Sequence, residues 1–226
     1  MHGFRVLWGT GTMKLKKTDY IAILVLIATL IHLVVVYPSL PPQIPTNWGF
    51  DGHVDYGGKS TIWILYGISV AMFPLFFIIP KIDPKGKNYS RFEGFYSVFR
   101  LVTVLFLSGL LEMIIFSAQD AHRFDVSKIA VLALSALMVF IGNYMPKCKH
   151  NYTMGIKTMW TIADERVWND THRFGGILFV IVGVIGFVAT LFMQEKWYTA
   201  VSCASILVAI VTTTVYSYLS YKKYNG

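Results

Sequence analysis

Six long apolar stretches constrain this chain more than any other feature of its sequence. A helix needs about 20 mostly apolar residues to cross the roughly 30 Å hydrocarbon core of a bilayer. We expect spanning helices at 20–37, 61–80, 96–118, 129–146, 174–193 and 198–219. With 55% hydrophobic and 14% charged residues, the sequence predicts an all-α integral membrane protein, a bundle of about six transmembrane helices.

Basic residues are distributed very unevenly between the two sides of these spans. Short loops rich in Lys and Arg mark the cytoplasmic side of a membrane protein. Of the 20 Lys and Arg, 16 fall on one side, and only Lys59, Arg123, Lys128 and Lys196 fall on the other. The sequence therefore predicts a multi-pass protein of the cell membrane with both termini in the cytoplasm. This asymmetry accounts for most of the net charge of +8, so we expect no direct nucleic-acid binding.

The predicted spans divide the chain into four segments. They are a cytoplasmic arm at 1–19, a two-helix unit at 20–80 with an ordered outer loop at 38–60, a connecting segment with the third helix at 81–128, and a unit at 129–226 with a cytoplasmic loop at 147–173. Residues 1–12 differ from the rest, and Met13 is followed by Lys-Leu-Lys-Lys. We therefore expect the arm to be an upstream extension, and the first span to be an uncleaved membrane anchor.

Two ionisable residues, His32 and Glu112, fall inside the outer halves of predicted spans, where an isolated charge is costly. His32 is five residues from the outer end of the first span and Glu112 is six from that of the third. At about 1.5 Å per residue their depths match, so they could pair. The alternative is that each reaches a hydroxyl or the headgroups independently. Arg100 is twelve residues from Glu112, and we expect it to snorkel to cytoplasmic headgroups.

Proline and glycine shape several of the spans. We expect Pro74 to kink the second span, and Pro80 and Pro146 to end their helices at the cytoplasmic side. The fifth span contains glycines at positions that allow neighbouring helices to approach closely, namely Gly175, Gly176, Gly183 and Gly186.

The outer loop at 38–60 is rich in Pro and Gly, which indicates an ordered loop rather than a linker. Its glycines supply turns that would let Asp51, Asp55 and Lys59 converge. Asp51, His53 and Asp55 alternate as in some metal sites, but the further acidic ligands of a calcium loop are missing. We therefore assign no metal and expect no cofactor.

In the inner loop, Thr161 with Asp164 predicts a capped helix start. A helix over 162–172 would place Glu165, Trp168 and His172 on one face. One interpretation is an interfacial helix with a tryptophan at the headgroups. The other is catalysis by Glu165 and His172, with His150 or Asp164. The chain has no H-E-x-x-H spacing, nucleophile elbow or paired cysteine ligands, so we assign no catalytic residue.

Both loops also carry longer residue patterns. The outer pattern comprises Leu40, Pro41, Ile44, Pro45, Thr46, Gly52, Asp55 and Lys59. The inner pattern comprises Gly142, Asn143, Tyr144, Pro146, Asn151, Gly155, Ile156, Lys157, Thr158, Trp160, Thr161, Glu165, Trp168, Thr171 and His172. Together with the order of the spans, these patterns resemble the SdpI family, whose members are membrane immunity proteins against the sporulation-delay-protein toxin. The outer pattern is similar to the domain of unknown function that precedes the SdpI domain in many members.

Two positions depart from the family pattern. Asn47 stands where many relatives have His, which weakens a metal hypothesis for the outer loop. Lys157 stands where the family often has Arg. Because Lys cannot reproduce a bidentate Arg contact, we do not carry over an exact ligand geometry.

The resemblance implies an immunity protein that gives resistance to a secreted antimicrobial peptide toxin, and not an enzyme. In the best-known member, immunity is combined with sensing, because toxin causes a transcriptional repressor to be held at the membrane. Besides the bilayer, the expected partners are a hydrophobic peptide toxin on the outer side and a cytoplasmic repressor. The rival hypotheses are a metal-dependent membrane hydrolase and a small transporter that uses His32, Glu112 and Pro74.

The candidate functional residues fall into three groups. The outer-loop binding candidates are Pro41, Pro45, Thr46, Gly52, Asp55 and Lys59, and the intramembrane polar candidates are His32 and Glu112. The inner-loop candidates are Asn143, Pro146, Asn151, Gly155, Lys157, Trp160, Glu165, Trp168 and His172. Glu165, Trp168 and His172 are the expected surface for a soluble partner.

Overall fold

The structure is a computed structural model that describes residues 15–49, 53–120 and 125–226. The helices of these ranges are α1 (Lys17–Val36), α2 (Thr61–Ile82), α3 (Glu93–Gln119), α4 (Val126–Tyr144), the short α5 (Met159–Ala163), α6 (Glu165–Phe192) and α7 (Glu195–Asn225). Short 3-10 helices occupy Tyr37–Ser39, Gly86–Phe92 and Met145–Lys147. The expectation of an upstream extension falls on residues outside the described ranges.

Six of these helices are long and apolar enough to cross a membrane, which confirms the predicted bundle. Large apolar side chains on their outward faces are exposed, for example Leu24 in α1 and Val208 in α7. Such faces are stable only against lipid, because in water they would leave a large apolar surface exposed. The helices extend beyond the predicted spans mainly at their polar ends, where α3 begins at Glu93 and α6 at Glu165.

The helices define two ends of the bundle. Asp19 of α1 contacts Arg100 of α3, and His32 of α1 contacts Glu112 of α3, so these two helices run parallel. We call the end formed by 15–19, 81–93, 144–166 and 221–226 the basic end, because most of the Lys and Arg lie there. The opposite end, formed by 37–49, 53–60 and 192–196, is the hairpin end.

A β-hairpin, which the all-α prediction missed, lies at the hairpin end. Its strands β1 (Gln43–Trp48) and β2 (Val54–Gly58) pair antiparallel, with a register shift between Pro45 and Asn47. Ile44 and Leu40 are buried against apolar side chains of α1, α2 and α3. This burial holds the hairpin on the helices.

The predicted convergence of acidic and basic groups in this loop is wrong for its described part. The Asp55 carboxylate accepts a hydrogen bond from Asn47 Nδ2 at 3.0 Å. Lys59 Nζ instead donates to the carbonyl oxygens of Tyr37 and Leu40, each at 3.3 Å. Lys59 thus closes the loop onto the end of α1, where free carbonyls are available. Asp51 and Gly52 lie outside the described residues.

Glycine packing joins α4 to α6, as predicted from the fifth span. A Cβ added at Gly176 would lie 2.7 Å from the Gly142 carbonyl oxygen, and one at Gly183 would lie 2.6 Å from that of Ser135. Only glycine permits such close backbone approach. In α2, by contrast, Pro80 does not end the helix, which continues through both Pro74 and Pro80 to Ile82.

Candidate functional site

A buried ion pair joins α1 to α3 near the basic end. Arg100 Nε donates to Asp19 Oδ1, and Arg100 Nη2 donates to Asp19 Oδ2, both at 2.8 Å. Both side chains are 0% exposed. The expectation that Arg100 snorkels to the headgroups is wrong, because Asp19 offers a bidentate partner inside the bundle. Asp19 was missed because it lies one residue outside the predicted span and was counted with the arm.

A second polar pair joins the same helices toward the hairpin end. His32 Nδ1 lies 2.6 Å from Glu112 Oε2, with side chains 35% and 27% exposed. The pairing inferred from matching depth is confirmed, and the alternative of independent partners is wrong. The two helices are therefore linked by polar side-chain pairs at two depths.

A pocket of about 260 Å³ lies at the hairpin end, between β1 and the starts of α4 and α7. Trp48 of β1, Met113 of α3 and Val131 of α4 supply apolar lining, while Thr46 and Asn47 supply polar groups. Thr46 is thus the outer-loop candidate that reaches a cavity. Among the others, Pro45 is buried, whereas Pro41 and Asp55 are exposed.

At the basic end, the carboxylate of Asp83 connects two loops that are distant in sequence. Its Oδ1 accepts from the backbone N–H of Lys85 at 2.8 Å. Its Oδ2 accepts from Tyr89 Oη at 3.1 Å, from Tyr152 N–H at 2.9 Å and from Thr153 Oγ1 at 3.1 Å. Asp83 therefore fixes residues 148–158, which we call the inner loop segment, against the connection between α2 and α3.

Asn151 organises the inner loop segment from within. Its Oδ1 accepts from the backbone N–H groups of Thr153 at 2.9 Å and Met154 at 2.6 Å. Its Nδ2 donates to the Lys149 carbonyl oxygen at 2.8 Å and to Cys148 Sγ at 3.4 Å. Because the side chain is fully buried, an Asn with both donor and acceptor groups is required there.

Three rings stack beneath this segment. The rings of Trp168 and His172 are 4.0 Å apart, and those of His150 and Trp168 are 5.0 Å apart. Trp168 Nε1 donates to the Cys148 carbonyl oxygen at 2.9 Å. All three rings are buried. The expectation that Trp168 and His172 form an exposed surface is therefore wrong, because the inner loop segment covers that face of α6.

The hydrogen bonds of His172 define its tautomer. Its Nδ1 contacts the Trp168 carbonyl oxygen at 2.8 Å, which can only accept, so Nδ1 carries the proton and donates. Its Nε2 accepts from the backbone N–H of Ile156 at 3.1 Å. Both ring nitrogens are thus used within the fold, an arrangement that favours a structural role over metal binding or proton transfer.

Gly155 allows the chain to reach His172. Its φ is 107°, a conformation that L side chains rarely adopt. A Cβ at this position would collide with Nε2 of His172. Glycine is therefore required twice, once for the backbone conformation and once for the close approach that lets Ile156 donate to the ring.

The helix start at the basic end differs from the predicted capping box. Thr158 is the N-cap of α5 and exchanges hydrogen bonds with Thr161, whereas Asp164 is the N-cap of α6 and accepts from the Arg166 backbone N–H at 2.8 Å. The predicted box of Thr161 and Asp164 is therefore wrong. Two separate caps produce a break between α5 and α6.

The remaining inner-loop candidates lie outside the buried network. Asn143, Pro146 and Lys157 are exposed, and the Trp160 ring lies 5.2 Å from that of Tyr218 in α7. Glu165 is exposed and lies 3.8 Å from Arg91. The structure therefore separates Glu165 from the buried pair Trp168 and His172, although all three lie on α6.

Burial governs the titration of two groups in the inner loop segment. It raises the pKa of the Cys148 thiol to about 12, so the group remains a neutral thiol rather than a nucleophilic thiolate. Burial also lowers the pKa of His150, as does the Lys85 ammonium. Lys85 Nζ donates to His150 Nδ1 at 2.7 Å, a bond that requires a neutral imidazole. Sequence reasoning missed Lys85 and Asp83, which belong to a different loop.

We expect the inner loop segment to open more readily below about pH 6.5. The folded pKa of His150 is lower than its ordinary value of 6.5, so its contribution to stability is complete above that value and is lost as the pH falls toward the folded pKa. Hydrogen exchange of the Thr153 and Met154 amides, corrected for intrinsic pH dependence, measures this opening. The Lys85→Met variant should show a weaker pH dependence, and Lys87→Met, an exposed neighbour, should behave like the wild type. Equal pH dependence in all three would contradict the assignment.

Six membrane-crossing helices, closed at one end by this loop network, define a multi-pass membrane protein. Residues 147–217, which contain the inner loop segment and α5–α7 up to Ser217, match the SdpI/YfhL protein family. Residues 24–70, from α1 through the hairpin into α2, match a domain of unknown function (DUF1648). The chain is therefore similar to the SdpI/YfhL family over residues 147–217 and to DUF1648 over residues 24–70.

The chain is similar to Immunity protein SdpI of Bacillus subtilis (strain 168). The two are 26% identical over 211 residues, which cover 93% of this chain and 99% of that protein. No solved structure matches the chain. The similarity thus runs through both matched regions and through the α3 and α4 region between them.

Proposed function

We propose that this chain protects its cell against a secreted hydrophobic peptide toxin, by binding the peptide at the hairpin end. The observation that carries the proposal is the similarity to Immunity protein SdpI along 93% of the chain. The contacts of the inner loop segment support binding rather than catalysis, because its buried His150 and Asn151 side chains, and Asp83 that holds it from another loop, are used to hold the fold together.

In this proposal, the basic end faces the cytoplasm and the hairpin end faces outward, in agreement with the distribution of Lys and Arg. The pocket behind the hairpin then lies where a peptide from outside would enter the membrane. Its Trp48, Met113 and Val131 side chains offer apolar surface next to polar groups of Thr46 and Asn47. This mixture suits a hydrophobic peptide whose backbone still needs hydrogen-bond partners.

Binding in this pocket would act directly on α3. Met113, which lines the pocket, follows Glu112, the partner of His32. A peptide that displaces Met113 would therefore also shift Glu112 and disturb its contact with His32, which links α1 to α3. We propose this pair as the first element through which the hairpin end affects the rest of the bundle.

Filling the pocket should abolish protection. We expect sensitive bacteria that express Ala130→Phe to survive sporulation-delay toxin no better than cells without the protein, because Ala130 lines the pocket and a phenyl group would occupy it. Ala136→Phe is the matched control, since Ala136 is exposed on the same helix. Survival is measured at equal amounts of inserted protein. Protection by Ala130→Phe equal to that by Ala136→Phe would exclude this pocket, and failure of the wild type to protect would refute the proposed function for this toxin.

A signalling role would use a different part of the basic end. We propose that a soluble repressor, if held at the membrane, contacts the exposed residues around α5, because Met159 is 77% exposed and Lys157 and Glu165 are exposed beside it. An exposed methionine flanked by charges suits a protein contact. Met159→Ser with Glu165→Ala should release a fluorescent repressor fusion from the membrane while leaving toxin resistance intact. Retention of the fusion by this variant would argue against the surface.

A further inference from the structure

A second pocket, of about 380 Å³, lies at the basic end between the start of α3 and the end of α4. Three of its lining residues are cationic, namely Arg91, Lys147 and Lys149. No carboxylate is among the described residues that line it. The function proposed above makes no use of this pocket, so a concentration of positive charge there requires a separate explanation.

The three cations are weakly engaged by the protein itself. Arg91 Nη1 lies 3.8 Å from Glu165, and these side chains are 56% and 51% exposed. Such an exposed pair contributes little. Lys147 Nζ lies over the Tyr144 ring, 4.5 Å from its centre. The Lys149 side chain has no ion pair within the described part of the chain. All three remain available to an anion.

The floor of the pocket is apolar. Phe92 and Phe95 are buried beneath it, and the Phe95 ring stacks on that of Tyr144 at 5.3 Å. Pro146 forms an exposed apolar edge. The pocket also lies where the apolar stretch of α3 begins, at the level where a membrane-spanning helix meets the lipid headgroups. The pocket thus combines cationic side chains with an apolar surface on the side of the membrane interior.

The first turn of α3 also lines the pocket. Gly94 and Phe95 of that turn line the pocket, and no side chain caps the helix start. A helix N-terminus favours negative charge, and phosphate groups in particular. At Gly94, a Cβ would meet no atom within 4 Å, so the space beside the backbone is open to a ligand.

We propose that this pocket binds the phosphate group of an anionic phospholipid from the leaflet at the basic end, with an acyl chain along Phe95 and Pro146. Basic pockets between spanning helices are a recognised type of site for such headgroups. Such a lipid and free inorganic phosphate share an anionic phosphate group that the three cations could bind. The apolar floor favours a lipid over free inorganic phosphate, since free phosphate would gain nothing from the aromatic side chains.

The proposal can be tested on the purified full chain by native mass spectrometry. The probe is an equal mixture of phosphatidylglycerol and phosphatidylcholine, which differ in net charge. We expect the wild type to retain phosphatidylglycerol in preference to phosphatidylcholine, and Lys147→Gln with Lys149→Gln to lower this preference about 30-fold, as expected for the loss of two charges near a membrane surface. Arg91→Gln, in which a single exposed side chain changes, should lower it less.

The control is Lys222→Gln with Lys223→Gln, which removes the same charge from the end of α7, also at the basic end. It should keep the wild-type preference. Absence of any preference in the wild type would overturn the proposal, as would an equal loss in both double variants, which would indicate the general charge of this end. Displacement of phosphatidylglycerol by millimolar inorganic phosphate would assign the pocket to a soluble phosphate instead. Thermal unfolding in detergent checks that every variant is folded.

Discussion

Asp19→Ala is expected to leave little folded protein, because it strands the Arg100 guanidinium inside the bundle. Arg100 is fully buried, with two hydrogen bonds to Asp19 and the rings of Phe77 and Tyr96 beside it. Removal of one member of a buried ion pair costs about 3–5 kcal/mol, since the other charge loses its partner without regaining water. Arg100→Met should be similarly harmful, because it leaves the Asp19 carboxylate buried.

The double variant Asp19→Leu with Arg100→Met should recover much of the stability lost in either single variant. Replacement of a buried ion pair by apolar side chains of similar size is often neutral or stabilising. Thermal unfolding and size-exclusion profiles of detergent-purified protein measure the effect. Glu93→Gln is the matched control, because it breaks the partly exposed pair of Lys16 and Glu93 at the same end, where the expected effect is below about 1 kcal/mol.

These four variants test whether the buried Asp19–Arg100 pair contributes more to stability than the partly exposed Lys16–Glu93 pair. If Asp19→Ala and Glu93→Gln had equally small effects on stability, the Asp19–Arg100 pair would not be buried in the purified protein. If the double variant were as unstable as the single ones, stability would require polar side chains at these two positions and not merely the absence of an unpaired charge. Either result would also weaken the view that ionic links position α1 against α3.

The two polar pairs between α1 and α3 show what a sequence can predict about a membrane bundle. His32 and Glu112 were paired because both interrupt apolar stretches, and their depths follow from counting residues along a helix. Asp19 could not be recognised in this way, since it sits where apolar sequence gives way to the basic arm. Without a depth for Asp19, the sequence offers Arg100 no partner inside the bundle and predicts contact with the headgroups.

The spans were predictable because bilayer thickness fixes the length of an apolar helix. The hairpin was not, because strands β1 and β2 are short and contain residue types that elsewhere indicate irregular loops, namely Pro45, Gly57 and Gly58. Gly49, another such residue, directly follows β1. The stability of the hairpin comes from Ile44, which is buried against helices distant in sequence. Such a tertiary contact leaves no local pattern.

At the basic end, helical spacing correctly placed Trp168 and His172 together but could not tell which environment their face meets. That environment is set by the inner loop segment, which Asp83 and Lys85 hold from another loop. Two residues such as Trp168 and His172 therefore have the same spacing in the sequence whether they form an exposed surface or a buried stack. Only the partners from residues 83–89 distinguish them, and no pattern within 147–173 points to those partners.

Gly155→Ala is expected to disrupt this network. At a φ of 107°, a side chain costs about 1–2 kcal/mol in backbone strain. The added Cβ would also collide with Nε2 of His172, and overpacking of this kind costs about 1–3 kcal/mol more. Relief of the collision requires His172 to move, which breaks its bond from Ile156 and shifts the ring of Trp168 stacked on it.

The matched control is Gly109→Ala, because Gly109 lies within α3 and a Cβ there meets no atom within 4 Å. That variant should be as stable as the wild type, or more stable by up to about 1 kcal/mol, since Ala favours a helix over Gly. Hydrogen exchange resolves the difference: Gly155→Ala should lose protection at Thr153, Met154 and Ile156 while the amides of α3 remain protected. Uniform loss across the bundle would mean that the inner loop segment is part of the folding core rather than a separate closure of the basic end, and unchanged protection would mean that the approach of Gly155 to His172 is not needed to hold it.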